Sequence, residues 1–149
     1  MNILVTGGSG FIGKHVLNRL INSNHNIAIV TRSEKAAHNQ LTIIKGDLNS
    51  ISDIQSRIID FRPDIVIHLA WQGIPDFSRK ICQDNLYMAM EFFDQVLDNT
   101  HCKKVIVSGS CFEYGKKYGP CKESDHVNIN SYFSWAKYAL YQYLLIQCA

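Results

Sequence analysis

Five short apolar runs, each rich in β-branched residues, alternate with longer segments of helical periodicity along the chain. The runs cover residues 3–5, 27–30, 41–44, 65–69 and 105–108. Runs of this length and composition are typical of strands that are covered on both faces of a sheet. The alternation of strand and helix predicts successive βαβ units with right-handed crossovers. We therefore predict an α/β fold built on a doubly wound parallel sheet, with the strand order 3-2-1-4-5.

The segments between the runs give three helical predictions. Ser50, with Asp53 three residues later, is similar to a capping box and predicts a helix that starts there and ends at Phe61. A longer helix is predicted over residues 79–99. The last helix, over residues 132–148, is apolar nearly all round, so we expect it to be buried on more than one side.

One strand from the N-terminus lies a glycine-rich turn, Gly7-Gly8-Ser9-Gly10-Phe11-Ile12-Gly13. Gly7 allows a sharp exit from the strand, Gly10 lets a pyrophosphate approach the backbone, and Gly13 lets the next helix lie close to the strand. Free N–H groups at the helix N-terminus would then bind the phosphates. A glycine turn without a ligand is the alternative, but the position directly after the first strand favours a dinucleotide site on a Rossmann sheet.

Composition places the chain among soluble globular proteins of a single domain, residues 1–149. Hydrophobic residues make up 46% and charged residues 19%, with a net charge of +2. The basic residues are scattered, so nucleic acid is not indicated as a partner. No apolar run reaches membrane-spanning length and no secretory signal is present, which favours the cytoplasm. The five cysteines form no Cys-x-x-Cys pair, so no metal site is predicted.

The residue that follows the second strand bears on the choice of cofactor. A carboxylate at this place would hydrogen-bond the ribose 2′-hydroxyl of NAD, but this chain has Thr31 followed by Arg32. The Arg32 guanidinium would suit the 2′-phosphate of NADP, or it is an ordinary solvated arginine. The sequence therefore favours NADP and leaves NAD open.

Further short motifs follow the remaining strands in order. They are Gly46-Asp47-Leu48, His68-Leu69-Ala70, Asn85 in the next helix, and the octapeptide from Ser108 to Gly115. Together with the glycine turn, this series resembles the extended short-chain dehydrogenase/reductases, particularly the sugar-nucleotide epimerases and dehydratases, over nearly the whole chain. The resemblance implies an NAD(P)-dependent oxidoreductase or isomerase that takes a hydride from a nucleotide sugar and returns it.

The resemblance also implies roles for individual residues. Asp47 would contact the adenine, and Ser110 would hold the reacting hydroxyl or carbonyl of the substrate. His68 is expected to be a satisfied core residue. The residues implied in cofactor binding are Gly7, Gly10, Phe11, Ile12, Gly13, Arg32, Asp47, Leu48, Leu69, Ala70 and Lys137.

The catalytic helix of that family carries the pattern Tyr-x-x-x-Lys. A spacing of four residues puts the two side chains on one face, so that the ammonium can lower the pKa of the phenol. Here the lysine is Lys137, but Phe133 stands at the tyrosine position, and Tyr132 lies about 140° away around the helix. Two alternatives stay open: a distorted first turn brings Tyr132 beside Ser110 and Lys137, or the catalytic acid is lost.

The residues after Ser110 narrow the expected reaction. Dehydratases of the family carry an Asp-Glu pair there, whereas this chain has Cys111 and Phe112, which counts against 4,6-dehydration. Glu113 comes one position late, and on an extended strand it would point to the opposite side. Epimerase and reductase both remain possible, as does a dinucleotide-binding module without catalysis.

Members of the family continue beyond the lysine helix with a region that binds the sugar nucleotide. The chain ends soon after that helix, so we expect it to lack the substrate-binding part and to have little turnover by itself. In the family the helices corresponding to 79–99 and 132–148 pair across a dimer axis, which implies a homodimer.

Overall fold

The computed structural model describes residues 1–33 and 40–148 of the chain. Within these residues the strands are β1 (Asn2–Thr6), β2 (Asn26–Thr31), β3 (Leu41–Lys45), β4 (Ile65–His68) and β5 (Lys104–Val107). The α-helices are α1 (Phe11–Ile21), α2 (Gln55–Phe61), α3 (Arg79–Asn99) and α4 (Tyr132–Gln147). Two 3₁₀ helices, Leu48–Asp53 and Cys111–Tyr114, complete the described elements.

All pairings between the five strands are parallel, and their order is β3-β2-β1-β4-β5. The predicted fold class and strand order are therefore confirmed. In the middle of the sheet, Val5 of β1 is in register with Ile29 on one side and Ile67 on the other. A central strand of this kind needs apolar side chains on both faces, which is why its sequence is a short continuous run rather than an alternating one.

The chain divides into two compact units. The first, here called the sheet unit, comprises Met1–Trp71 and Glu91–Val107 and contains every described strand. Its core includes a buried cluster of Ile3, Val5, Leu17, Ile27 and Ile29. The second, here called the α4 unit, comprises Gln72–Met90 and the chain from Ser108 onward.

The prediction that a helix starts at Ser50 is wrong. The Asp47 carboxylate accepts a hydrogen bond from the Asn49 N–H at 3.0 Å and starts the 3₁₀ helix Leu48–Asp53. Ser50 has the non-helical angles φ −128° and ψ 58°, and α2 begins only at Gln55. The reason is competition between neighbouring caps, because Asp47 precedes Ser50 and captures the first free N–H group.

Helix α4 buries one side and exposes the other. Ala136, Lys137, Leu140 and Leu144 are buried, whereas Tyr141, Leu145 and Ile146 are 46%, 50% and 78% exposed. Burial of a second side stays a prediction. Across residues 1–33 and 40–148, no helix is both long enough and apolar enough to span a membrane.

Candidate functional site

The turn after β1 depends on glycine at two positions for steric reasons. Gly7 has φ +72°, and a Cβ at this residue would lie 2.5 Å from the backbone nitrogen of Ala70. A Cβ at Gly13, inside α1, would lie 2.1 Å from the Gly7 carbonyl oxygen and 2.7 Å from Gly8 Cα. The start of α1 is therefore packed directly on the turn, as the spacing of the glycines predicts.

Gly10 differs from these two because its backbone angles do not require a glycine and the contact that a Cβ would make is less severe. Its angles, φ −73° and ψ 177°, are open to any residue, and an added Cβ would meet only the Gly7 carbonyl oxygen, at 3.2 Å. Gly10 is the N-cap of α1 without a side-chain cap, so N–H groups of the first turn are left for another acceptor. This arrangement fits a ligand phosphate that approaches the backbone at Gly10. The next two side chains, Phe11 and Ile12, are 85% and 56% exposed.

The end of β4 lies beside this turn. The Leu69 N–H donates to the Thr6 carbonyl oxygen at 3.1 Å, and the half-buried Ala70 borders Gly7. His68 is buried, with Nδ1 2.8 Å from Thr6 Oγ1 and its ring 5.5 Å from that of Phe92. His68 is thus the satisfied core residue that was expected.

Arg32 and Asp47 approach each other across the ends of β2 and β3. Arg32 Nη1 lies 3.9 Å from Asp47 Oδ2, with side-chain exposures of 73% and 39%. The other carboxylate oxygen of Asp47 accepts from the backbone and side-chain nitrogens of Asn49. Leu48 is buried at 7% exposure. The sheet unit therefore brings the glycine turn together with the ends of β1 and β4, and separately pairs Arg32 with Asp47.

In the α4 unit, Ser110 is the N-cap of the 3₁₀ helix Cys111–Tyr114. Its Oγ accepts from the Phe112 N–H at 3.2 Å, and its own N–H donates to Glu113 Oε1 at 2.7 Å. Both halves of a capping box are present. The expectation that Glu113 follows Ser110 on an extended strand and points away is wrong. The helical turn brings the Glu113 carboxylate back to the backbone of Ser110.

Lys137 is buried, at 8% exposure, and its Nζ donates to Ser108 Oγ at 3.2 Å. Burial lowers the pKa of Lys137 from 10.5 to about 8, while the negative charge of Glu113 acts in the opposite direction. An amine of this kind exchanges protons close to neutral pH, unlike a solvated lysine.

Phe133 lies four residues before Lys137, and its ring packs with two other phenylalanines. The ring centroids of Phe77 and Phe112 lie 4.9 Å and 6.1 Å from that of Phe133. Helix α4 begins regularly, with Ser131 as N-cap, so the first turn is not distorted in the way that would bring Tyr132 round. Tyr132 is 51% exposed and lines a surface cavity with residues that include Phe77.

Two residues near this site were missed by sequence reasoning. Ser108 is the partner of Lys137, and 29 residues separate them, so no local pattern indicates the contact. Glu113 could have been found, because Ser110 and Glu113 have the Ser-x-x-Glu spacing of a capping box.

Asn85, one of the residues on which the resemblance rests, hydrogen-bonds to the backbone with its side chain. Its side-chain oxygen accepts from the Gln72 N–H at 2.8 Å, and its Nδ2 donates to the carbonyl oxygens of Gln72 and Ile81. It fixes the loop at Gln72 to the first turns of α3. As far as residues 1–33 and 40–148 are concerned, no cluster of three or more His, Cys, Asp or Glu side chains could hold a metal ion.

A parallel sheet of this order, with a glycine turn between β1 and α1, defines the dinucleotide-binding class of α/β proteins. The model of the NAD dependent epimerase/dehydratase family matches residues 3–149, and the chain belongs to this family.

Individual relatives agree with this assignment. The chain is 25% identical over 145 residues to dTDP-6-deoxy-L-talose 4-dehydrogenase (NAD(+)) of Aggregatibacter actinomycetemcomitans, covering 95% of this chain and 53% of that protein. It superimposes with a TM-score of 0.84 and 25% identity on UDP-glucose 4-epimerase of Thermotoga maritima with UDP-glucose, covering 99% of this chain and 51% of that one. It superimposes with a TM-score of 0.81 and 27% identity on MoeE5 in complex with UDP-glucuronic acid and NAD, covering 100% of this chain and 50% of that one. The chain thus spans about half the length of these relatives.

Proposed function

We propose that this chain supplies the cofactor-binding part of an NAD-dependent oxidoreductase or epimerase that acts on a nucleotide sugar. The observation that carries the proposal is the turn at Gly7, Gly10 and Gly13. Gly7 and Gly13 are required by contacts under 3 Å, whereas a Cβ at Gly10 would meet one neighbour, the Gly7 carbonyl oxygen, at 3.2 Å. Without a side chain, the backbone of Gly10 is open to a ligand. The relatives with NAD and UDP-sugars support the same interpretation.

The groups that would act on the substrate lie in the α4 unit. Bound NAD would supply a hydride acceptor and donor for a sugar carbon. Ser110 would hydrogen-bond the reacting oxygen through its hydroxyl. Lys137, with a pKa of about 8, would hold or release a proton near neutral pH.

NAD is the cofactor that we favour, although the sequence leans toward NADP. The carboxylate of Asp47 lies 3.9 Å from the Arg32 guanidinium and repels a second anion, such as a 2′-phosphate. The pair is exposed, so this repulsion is modest. Arg32→Ala decides between the two views: a selective loss of NADPH affinity would support NADP, and equal effects on NADH and NADPH would make Arg32 a surface charge.

The binding proposal is tested by fluorescence titration of the chain with NADH. Gly10→Val should weaken binding at least about tenfold, because the branched side chain occupies the place where the pyrophosphate approaches. Asn22→Ala, at the opposite end of α1, is the matched control and should bind like the wild type. Circular dichroism should show that both variants are folded. Wild-type affinity in Gly10→Val, or no binding by the wild type, would contradict the proposed site.

A second function, dinucleotide binding without catalysis, is favoured by the packing of Phe133. A phenyl ring enclosed by Phe77 and Phe112 can neither donate nor accept a proton. In this case the wild type should bind NADH, but the complete enzyme should convert UDP-glucose neither to an epimer nor to an oxidised sugar. Phe133→Tyr in the complete enzyme should then gain activity. If Tyr132 is the acid instead, Tyr132→Phe should remove about 10²–10⁴-fold of the activity and Phe133→Tyr should add none.

The exposed side of α4 supports the proposal of a homodimer. Tyr141 and Leu145 are one turn apart on this side, and Ile146 lies next to them. Apolar side chains grouped in this way on a surface helix are typical of an interface. Sedimentation velocity of the wild type and of Leu145→Glu should show a dimer that the charge dissociates, and a wild-type monomer would contradict the proposal.

A further inference from the structure

Three consecutive residues, Ser108, Gly109 and Ser110, are held by two partners within the α4 unit. Ser108 Oγ accepts from Lys137 Nζ at 3.2 Å, and the Ser110 N–H donates to Glu113 Oε1 at 2.7 Å. A short hydrogen bond from an N–H group to a carboxylate is stronger than one between neutral groups. The loop is therefore fixed at one end by Lys137 and at the other by Glu113.

Gly109 lies between these two serines, and the Glu113 carboxylate lies close to it. A Cβ at Gly109 would lie 3.2 Å from Glu113 Oε1, which is tighter than ordinary van der Waals contact. The small residue thus lets the carboxylate lie close over the loop. The atom nearest to this Cβ is the same Glu113 Oε1 that accepts the Ser110 N–H.

The charge of Glu113 reaches Lys137 as well. The 3₁₀ helix Cys111–Tyr114 packs against α4, and it carries the titratable groups Cys111, Glu113 and Tyr114. Of these three, Glu113 is the one whose charge acts on Lys137, where it opposes the effect of burial. Because a buried ammonium is costly without a compensating charge, this carboxylate favours the protonated amine.

We propose that Glu113 is a positioning residue for Ser110 and Lys137. Its carboxylate fixes the backbone of Ser110, and the 3₁₀ helix that carries it packs against α4, the helix of Lys137. The chemical roles of Ser110 and Lys137 rest on the proposed function, whereas the coupling of Glu113 to both is a property of this chain without any ligand.

Two variants separate the two effects of Glu113. Glu113→Gln keeps an oxygen that can accept from the Ser110 N–H but removes the charge. Glu113→Ala removes both the acceptor and the charge. Glu123→Gln, an exposed glutamate of the same unit, is the matched control for the loss of one negative charge.

The first measurement is the pKa of Lys137, followed by NMR in chain labelled with ¹³C-lysine, with Lys137→Met to assign the resonance. Glu113→Gln should lower this pKa below the wild-type value, and Glu123→Gln should leave it unchanged. A purely structural glutamate would not shift the titration of Lys137 in a variant that stays folded.

The second measurement is hydrogen exchange at the Ser110 amide. Glu113→Ala should accelerate exchange at least about tenfold, and Glu113→Gln should accelerate it much less. If Glu113→Ala does not fold, the titration of Lys137 in Glu113→Gln alone tests the proposal. Unchanged exchange at the Ser110 amide in folded Glu113→Ala, or an unchanged Lys137 pKa in folded Glu113→Gln, would overturn the proposal. Neither readout needs a cofactor, so absence of NADH binding would refute the proposed function alone.

Discussion

Replacing Lys137 with methionine should stabilise the chain at neutral pH. Burial lowers the pKa of this lysine from 10.5 to about 8, and a tenfold change in proton affinity corresponds to about 1.36 kcal/mol. The buried ammonium therefore costs the folded state about 3 kcal/mol. Methionine is flexible and apolar, so its side chain can occupy the space of the buried lysine side chain. The lost hydrogen bond to Ser108 offsets about 1 kcal/mol, which leaves a net gain of about 2 kcal/mol.

The pH dependence identifies the charge as the cause. Below pH 8 the lysine is protonated in both states, and the folded state bears the full cost of the buried charge. Between pH 8 and pH 10.5 the folded state has lost its proton while the unfolded state still holds one, so the cost decreases as the pH rises. The advantage of methionine should therefore be largest at neutral pH and disappear toward pH 10.5.

Urea unfolding, followed by tryptophan fluorescence at several pH values across this range, measures the difference. Lys80→Met is the control, because Lys80 is 82% exposed and pairs only with Asp84 at 2.9 Å among the contacts described. It should change the free energy of unfolding by less than about 1 kcal/mol. A Lys137→Met gain that is the same at every pH would refute the reasoning, because packing alone would then explain it.

Two further substitutions test structural roles within each unit. Asn85→Leu should lower the free energy of unfolding by about 2–4 kcal/mol in urea, because it leaves the backbone groups of Gln72 without their partner; an unchanged midpoint would contradict this role. Asp64 has a pKa below 3.8, mainly because its carboxylate accepts from the backbone N–H of Asn2 at 2.9 Å. It therefore stabilises the fold at neutral pH, and this contribution is lost as the pH falls through its folded pKa. Asp64→Asn should be less stable than the wild type at neutral pH, and the difference should shrink in acid; a difference that persists unchanged in acid would argue against the charge.

The strands and their order could be predicted because a strand that is covered on both faces has a short, continuous apolar sequence. A central strand such as β1 is apolar over its middle positions, Ile3 to Val5, and a crossover helix fixes the parallel direction of the next strand. The glycine turn could be predicted equally well. Steric contact at Gly7 and Gly13 leaves no alternative residue, so the spacing itself carries the geometry.

Helix caps show where a prediction from local sequence fails. The capping-box spacing at Ser50 predicted a helix start that the chain does not use, because Asp47 accepts the Asn49 N–H first. The same spacing at Ser110 and Glu113 was passed over, and there the box forms with both hydrogen bonds. Spacing shows which caps are possible, and competition between neighbouring acceptors decides which one forms.

Contacts between distant residues could not be derived from periodicity. The helical pattern places Phe133 and Lys137 on one face of α4, but it does not show that Phe133 meets Phe77 and Phe112 or that Lys137 meets Ser108. These contacts depend on how the loop after β5 folds within the α4 unit. The chemistry expected of a Tyr-x-x-x-Lys helix therefore needed the structure before it could be judged.

Phe133 has no proton to donate, and it lies in a different unit from the glycine turn. The glycine turn belongs to the sheet unit, whereas Ser110, Phe133 and Lys137 belong to the α4 unit. A phenylalanine in place of a tyrosine at position 133 would therefore leave the site without a proton donor and change no residue of the turn. Dinucleotide binding can persist after the acid is gone, so binding of NADH would support the site at Gly10 and leave catalysis undecided. Turnover in Phe133→Tyr of the complete enzyme, but not in its wild type, would show that the rest of the proton-transfer site is intact and that this one side chain separates the two functions.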